Sequence, residues 1–441
     1  MNLEQLRKRA KERLREQRRT DPEAKLSGVQ LAIAREQGFP SWPRMKAYID
    51  RLAAHPDGVQ FAYHDDLDYY GGRAFGLRAS AEDGTPGAVA AFERIGAPCT
   101  PAGARLVVAR SHGFASWQAL RRHVRRLPGS GEPFVRAYRA IEANDPDGLR
   151  AVLDRWPEIT RMEGTNGNDL LGMATATCDE RTVGLLLDYG AHPSHPNAHG
   201  WTPLHQVGYA NAVHLVNVLL DAGARSDTFA RGDGGTPLVA ALFWGHREVA
   251  DLLARRRVEP RNLRAAAGVG DAALVDELAG TPQAGAHRGF YRPHSGFPAW
   301  TPSDDPQEVL DEALAYAARS GRTNVLDALV GHGARLEADV YRGTPLIWAA
   351  STGRADAVRR LLALGADPMG RGSYGGDSHG KHVTPLHLAG ASGDATTVEV
   401  LLDAGADPSV LDGHGYGTPA GWAHHNGHPE TAELIEASAH T

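Results

Sequence analysis

The chain has 441 residues and a formal net charge of -6; a typical single domain holds about 100 to 200 residues, so the length indicates several domains or one extended array. Apolar residues make up 42% and charged residues 23% of the chain, which favours a folded protein over a disordered one. Two cysteines are too few for a disulfide framework, and no stretch reaches about 18 apolar residues. We therefore expect a cytoplasmic protein without a membrane span, and the N-terminus lacks the apolar core of a secretory leader.

The first 130 residues form a basic segment, with 22 Lys and Arg against 14 Asp and Glu. It contains the motif GFxSW twice, in LAIAREQGFPSW at 31–42 and LVVARSHGFASW at 106–117, each followed by an amphipathic helical pattern. Buried Phe and Trp side chains at a tight helix-turn-helix explain the motif as structure. The alternative is a DNA-reading helix, which would present polar side chains to base edges. Its candidates are Ser41, Arg44, Lys46, Gln118, Arg121 and Arg122, and the structural interpretation is preferred over nucleic-acid binding.

A block related to TPLH recurs through the second half of the chain. It begins at Thr202, Thr236, Thr344, Thr384 and Thr418. Weaker copies at 261–270 and 312–321 fill the longest gap, and copies beginning at 168 and 135 extend the series upstream. Each copy has a Thr N-cap followed by Pro, apolar residues at helical spacing, and a second helix that ends in Gly-Ala. The pattern predicts two short helices per copy.

These residues resemble the ankyrin repeat family. TPLH combined with LLxxGADP, at a period of about 33 residues, covers about nine helix pairs from 134 to 435. The resemblance implies an all-α solenoid of helix-turn-helix pairs joined by β-hairpin-like loops. It places the array at 131–441 and leaves 1–130 as a helical extension of degenerate pairs. It also implies that His205 and His387, the histidines of TPLH, hydrogen-bond within the fold.

The resemblance implies a protein-binding function, namely a non-catalytic scaffold or adaptor that holds a partner protein on its concave face. In this family, partner contacts usually come from the hairpin tips and from late positions of the first helix. The matching positions here are His199, Trp201, Tyr209, Phe243, Trp244, Tyr341, Lys381, His382 and His425. Tyr and Trp often carry interface energy, although the same side chains would otherwise pack against the next repeat. No cofactor is expected.

The period breaks at 280–306, where GTPQAGAHRGFYRPHSGFPAWTPSDDP separates two copies. Its Pro and Gly residues exclude a long helix, and its aromatic residues indicate that it packs on the array. Donors for a carboxylate or phosphate come from His287, Arg288, Tyr291, Arg292 and His294. A second hypothesis is therefore an enzyme or a small-molecule-binding protein with a polar pocket under this insertion. Its acid/base and anion-binding groups would be His287, Tyr291, Arg292 and His294.

A glycine-rich extension, MGRGSYGGDSHGKH at 369–382, lengthens the hairpin before Thr384. Asp377, His379 and His382, with His414 one repeat later, are residue types that bind zinc or copper. They lack the tight helical spacing of HExxH, so no metal site is expected. The glycine runs also lack the Lys-Ser/Thr pair of a P-loop, and no GxSxG occurs. These absences favour binding over catalysis.

Overall fold

The computed structural model describes residues 3–36, 39, 41–46, 49, 62–125, 133–256, 262–280, 288–289, 303, 305–372, 382–413 and 417–439. Helices and turns make up the structure of these residues, apart from an isolated antiparallel bridge between Gly372 and Val383. The predicted all-α repeat fold is confirmed. Within these ranges, no helix has the length and apolar character needed to cross a membrane.

The chain divides into two compact units, Met1–Arg231 and Gly232–Thr441. The sequence predicted a boundary at 130, where recognisable repeats begin. The two compact units instead divide at Arg231, because the extension packs closely on the first repeats. The first unit therefore includes the N-terminal extension together with the first repeats.

The first unit consists of short helices that associate in sequential pairs. They are α1 (Leu3–Gln17), α2 (Leu26–Glu36), α3 (Leu67–Glu82), α4 (Pro86–Ile95), α5 (Pro101–Ser111), α6 (Trp117–Val124), α7 (Pro133–Glu142), α8 (Pro146–Arg155), α9 (Leu170–Ala174), α10 (Glu180–Asp188), α11 (Pro203–Ala210) and α12 (Leu215–Asp221). Short 3-10 turns at Pro157–Arg161 and Thr165–Gly167 connect α8 to α9. Helix α3 packs on both α4 and α5, which makes the extension a stack of helix pairs.

The first GFxSW copy is a packing element. Phe39 is 1% exposed and lies in a core with Ile33 and other apolar side chains of α1 and α2. Its ring also lies 4.1 Å from the guanidinium carbon of Arg161, a cation–π contact with the first repeats. Arg44, a DNA-reading candidate, forms an ion pair with Asp188. These contacts support the structural interpretation of the motif.

The second GFxSW copy uses its serine as a helix cap. The Ser116 hydroxyl accepts the backbone N–H of Ala119 at 3.3 Å, which begins α6. The Trp117 ring lies 5.9 Å from the guanidinium carbon of Arg105 on α5. The motif therefore closes the turn between α5 and α6.

The second unit continues the series of pairs. Its helices are α13 (Pro237–Phe243), α14 (Arg247–Arg255), α15 (Leu263–Val269), α16 (Ala272–Ala279), α17 (Pro306–Arg319), α18 (Thr323–Gly331), α19 (Pro345–Ser351), α20 (Ala355–Ala363), α21 (Pro385–Ser392), α22 (Ala395–Asp403), α23 (Pro419–His425) and α24 (Pro429–Ser438). A single apolar core runs from Leu263 to Ile435 through both helices of each pair. Between 133 and 439, the described residues form nine helix pairs.

The TPLH histidines cap their own helices. The backbone N–H of Thr384 donates to His387 Nδ1 at 3.2 Å, and His387 Nε2 lies 3.1 Å from the carbonyl oxygen of Gly417 in the next loop. Burial lowers the pKa of His387, so the imidazole is neutral and bonds through both nitrogens. His205 makes the same bond to Thr202. Each histidine is thus a structural residue.

Helix α13 departs from regular stacking. Its C-terminal end reaches α17 and the end of α19 as well as its neighbour α15. Arg354 Nη2 donates to the Gly245 carbonyl at 2.7 Å, and a Cβ added at Gly245 would lie 2.6 Å from Thr352 Cγ2. In a regular array each pair contacts only its neighbours. The pair α13–α14 therefore packs across the ends of later inner helices.

Candidate binding surface

Helix α3 lies along three successive loops of the first unit, two of which precede α9 and α11 while the third follows α12. Asn166 Nδ2 in the first loop donates to the carbonyl of Arg73 at 2.9 Å. His199 Nδ1 in the second loop is 2.7 Å from the Ser80 hydroxyl. Arg231 in the third loop donates from Nη1 to the same hydroxyl at 2.7 Å. The loop surface predicted to meet a partner is therefore covered here by the chain's own helix.

His199 is a neutral hydrogen-bonding residue in this contact. Burial, with the charges of Arg231 and Arg73, lowers its pKa to about 3. Asn166 Nδ2 lies 3.4 Å from His199 Nε2 and can only donate, so Nε2 accepts and the ring proton sits on Nδ1, facing Ser80. This tautomer satisfies both ring nitrogens, and it makes His199 a packing residue instead of the exposed contact that the sequence predicted.

Tyr63 anchors the segment before α3. Its hydroxyl donates to Thr165 Oγ1 at 3.0 Å and accepts the Thr165 backbone N–H at 3.2 Å. His112 Nε2 of α5's C-terminal turn lies 2.9 Å from the same threonine oxygen. The Tyr63 ring packs 5.1 Å from Phe134 and 4.8 Å from Tyr138, and burial raises its pKa. Tyr63 thus joins the extension to the first repeats through both hydrogen bonds and aromatic packing.

The other two candidates of the first unit differ in exposure. Trp201 is 7% exposed and packs edge-on against Tyr209, with ring centroids 5.7 Å apart. Tyr209 is 42% exposed. Trp201 is therefore a core residue, which is the packing alternative that the sequence left open, and Tyr209 is open to solvent.

An aromatic cluster around Arg319 contains three predicted contact residues of the second unit. The Arg319 guanidinium carbon lies 3.3 Å from the Trp348 ring centroid and 4.6 Å from that of Phe243. Phe243 also contacts Tyr341 at 5.7 Å and Trp244 at 5.2 Å. Because α13 packs on α17 and on Trp348 of α19, Phe243 is buried, whereas Trp244 and Tyr341 are half-buried. Phe243 is thus packed among other repeats, which is the alternative that the sequence left open for these side chains.

The insertion is tied to the array at Arg288 and Gly289. Arg288 Nε donates to Glu312 at 2.7 Å and its Nη2 donates to Glu308 at 2.9 Å, while Arg264 donates to Glu312 at 3.0 Å. Burial alone would lower the pKa of Arg288, but the two glutamates raise it. The Gly289 backbone N–H donates to the Asp233 carbonyl. The donors of Arg288 are thus engaged by carboxylates of the chain, which differs from its predicted role as an anion-binding residue.

The remaining candidates are either exposed or outside the described residues. His382 and His425 are exposed in the second unit. Outside the described residues lie His287, Tyr291, Arg292, His294, Asp377, His379, Lys381 and His414. The catalytic and metal hypotheses that rest on these residues stay predictions. Among the residues that the structure does describe, no group of three or more His, Cys, Asp or Glu side chains is placed to hold a metal ion.

A cavity of about 400 Å³ adjoins the end of the insertion. Its lining residues are Asp305, Glu308, Arg335, Glu337, Ala338, Asp339 and Val340. Arg335 is held by Asp311 at 2.6 Å, and Glu308 by Arg288. The enzyme hypothesis requires an anion-binding pocket near the insertion, and this mainly acidic lining does not match that chemistry.

Sequence reasoning missed several residues that organise these contacts. Tyr63, Ser80 and Arg231 join the extension to the loops, and Arg319 joins the aromatic side chains of the second unit. Leu411 is 46% exposed in a hairpin loop. None belongs to the TPLH block, and only the exposed apolar Leu411 in a polar loop offered a local signal.

Stacked helix pairs with Thr-Pro starts and intervening hairpin loops define a helical repeat protein of the ankyrin type. The family model for ankyrin repeats in three copies matches residues 139–262 and 263–371, and that for a single ankyrin repeat matches 381–413. These ranges exceed half of the chain, which therefore belongs to the ankyrin repeat family. Ankyrin repeats generally mediate protein–protein interaction.

The chain is similar to the ankyrin repeat protein nuc-2 of Neurospora crassa, to which it is 26% identical over 243 residues. The match covers 52% of this chain and 21% of that protein. The match thus spans about a fifth of the relative's length.

Proposed function

We propose that this chain is a scaffold that binds a partner protein on the hairpin loops and inner-helix ends of its second unit. The observation that carries the proposal is that α3 covers loops of the first unit, whereas loops of the second unit present exposed side chains. In the first unit α3 covers the loops at 166, 199 and 231. In the second unit His382 and Leu411 are exposed in the loops before α21 and α23.

The exposed side chains suit a mixed polar and apolar contact. Leu411 offers apolar area, Tyr341 is half-buried in the loop before α19, and His425 is exposed at the end of α23. Tyr and exposed apolar residues in a polar surround are typical of the central part of a protein interface. The cytoplasmic location stays a prediction from the cysteine content.

Affinity capture with the full chain as bait, followed by quantitative mass spectrometry, tests this function. A bait with His382→Glu and Leu411→Glu should lose its specific partner, because two charges would have to be buried in the contact. The matched control is Glu399→Ala, an exposed position on the second helix α22. With the purified partner, the double variant should raise Kd by at least about tenfold.

Equal capture by the double variant and the wild-type bait would exclude the loop surface as the docking site. Loss of capture with Glu399→Ala but not with the loop variant would place binding on the second helices instead. Circular dichroism of each bait checks that the helices are retained.

A further inference from the structure

Helix α3 contacts the loops of the first unit in the way that a bound helical ligand would. It joins three separate loops to one helix at defined points, through Asn166, His199 and Arg231. Each point is a hydrogen bond between polar groups. Helix α3 also packs on α4 and α5. Interfaces between separable parts of a chain are more polar than a domain core.

One atom in this contact lacks a partner. Asn166 is 6% exposed, and its Oδ1 has no hydrogen bond with any described residue. Its Nδ2, by contrast, serves both Arg73 and His199. A buried acceptor without a donor weakens an interface. The fit of α3 is therefore good at Ser80 but incomplete at Asn166.

We propose that the loop surface formed by Thr165, Asn166, His199 and Arg231 is a helix-binding site, and that residues 62–83 occupy it as a ligand within the same chain. This loop surface is thereby closed to other partners until α3 is displaced. This inference goes beyond the proposed function, because it concerns the other unit and needs no foreign protein.

The chemistry of the site defines what it recognises. A tyrosine hydroxyl fits Thr165, which offers one N–H and one acceptor oxygen. A small hydroxyl residue fits between His199 and Arg231, as Ser80 does. A carboxylate after the helix faces Arg231, from which Asp83 lies 3.8 Å away. A helix that carries these groups at the spacing of Tyr63, Ser80 and Asp83 is the expected ligand.

A peptide of residues 62–85 with an N-terminal fluorophore tests the proposal by fluorescence anisotropy against the full chain. The wild-type chain should not bind it, because its own helix fills the site. The Ser80→Arg chain should bind it, since the new guanidinium would lie beside Arg231 and His199 and expel α3. A peptide that itself carries Ser80→Arg should not bind, and adding Arg231→Ala to the receptor should weaken binding about tenfold.

Amide hydrogen exchange in the same samples makes the outcome decisive. In the wild-type chain, α3 should open at a lower free energy than α11 and α12. If α3 exchanges only together with those helices, it is part of one cooperative core and the proposal is overturned. It is also overturned if α3 is exposed in the Ser80→Arg chain, with α11 and α12 still protected, and the peptide does not bind.

Where Ser80→Arg alone leaves α3 protected, the combination with Tyr63→Ala removes the second anchor and the binding assay is repeated. Failure of the peptide to bind that chain also rejects the proposal. Neither result bears on capture through His382 and Leu411, so the two proposals fail independently.

Discussion

His199 and Ser80 lie 119 residues apart in the chain, yet the imidazole Nδ1 and the serine hydroxyl are 2.7 Å apart. The bond joins a repeat loop to the N-terminal extension. It turns a position that ankyrin proteins commonly use for partners into an internal contact. The extension and the first repeats consequently form one compact unit.

The pKa of His199 makes this contact sensitive to acid. Its folded value of about 3 is far below the unfolded value of about 6.5, so the residue stabilises the fold above pH 6.5 and the contribution is lost as the pH falls toward 3. The unfolding free energy of the wild-type chain should fall on going from pH 7 to pH 4.5. In His199→Asn this fall should be smaller by about 2 kcal/mol, because Asn does not titrate. Urea denaturation at the two pH values measures it.

Removal of the Tyr63 hydroxyl should weaken the attachment of the extension. Tyr63→Phe leaves the buried N–H of Thr165 without its acceptor, which should cost about 1–3 kcal/mol. Amide exchange of α3 should accelerate correspondingly. Tyr209→Phe, at a residue 42% exposed, should change stability by less than about 0.5 kcal/mol. An unchanged exchange rate of α3 in Tyr63→Phe would contradict this role.

Phe243 should behave as a core residue of the second unit. Phe243→Ala removes a ring that is 4% exposed and packs on Arg319, so the expected loss is about 3–5 kcal/mol. Phe229 supplies a matched control, because its ring is 42% exposed and its substitution by Ala should cost far less. Thermal unfolding followed by tryptophan fluorescence compares the two. Equal losses would show that Phe243 is open to solvent.

Glu312 should be the most sensitive residue of the insertion contact. Glu312→Gln removes the charge shared by Arg264 and Arg288, whose side chains are 2% and 3% exposed. Breaking such a buried pair should destabilise the second unit by about 3–5 kcal/mol. Asp327→Asn removes an exposed ion pair with Arg360 and should cost less than about 1 kcal/mol. Denaturant unfolding of both variants measures the two losses, and equal midpoints would contradict the prediction for Glu312.

The repeat architecture was predictable because its signals are local. A Thr N-cap with Pro at the first helical position begins α13, α19, α21 and α23, and left-handed glycines such as Gly405 follow the second helices. These preferences act over a few residues, so they can be found in the sequence alone. The contact residues depend on longer distances. His199 and Phe243 match positions that face partners in this family. In this chain, however, His199 contacts Ser80 of α3, and Phe243 contacts Arg319 and Trp348 of later repeats. The repeat period does not predict either contact.

The sequence by itself determined the helix pairs, their caps and the family, because each rests on the backbone preferences of neighbouring residues. Only the tertiary structure decided which loop surfaces are open. Helix α3 covers the loops of the first unit through the hydrogen bonds that His199 and Arg231 make to Ser80. Helix α13 packs on later inner helices, where Phe243 is buried. Both arrangements are contacts between segments that lie far apart in the chain. Local backbone preferences do not encode such contacts, so only the folded structure shows them.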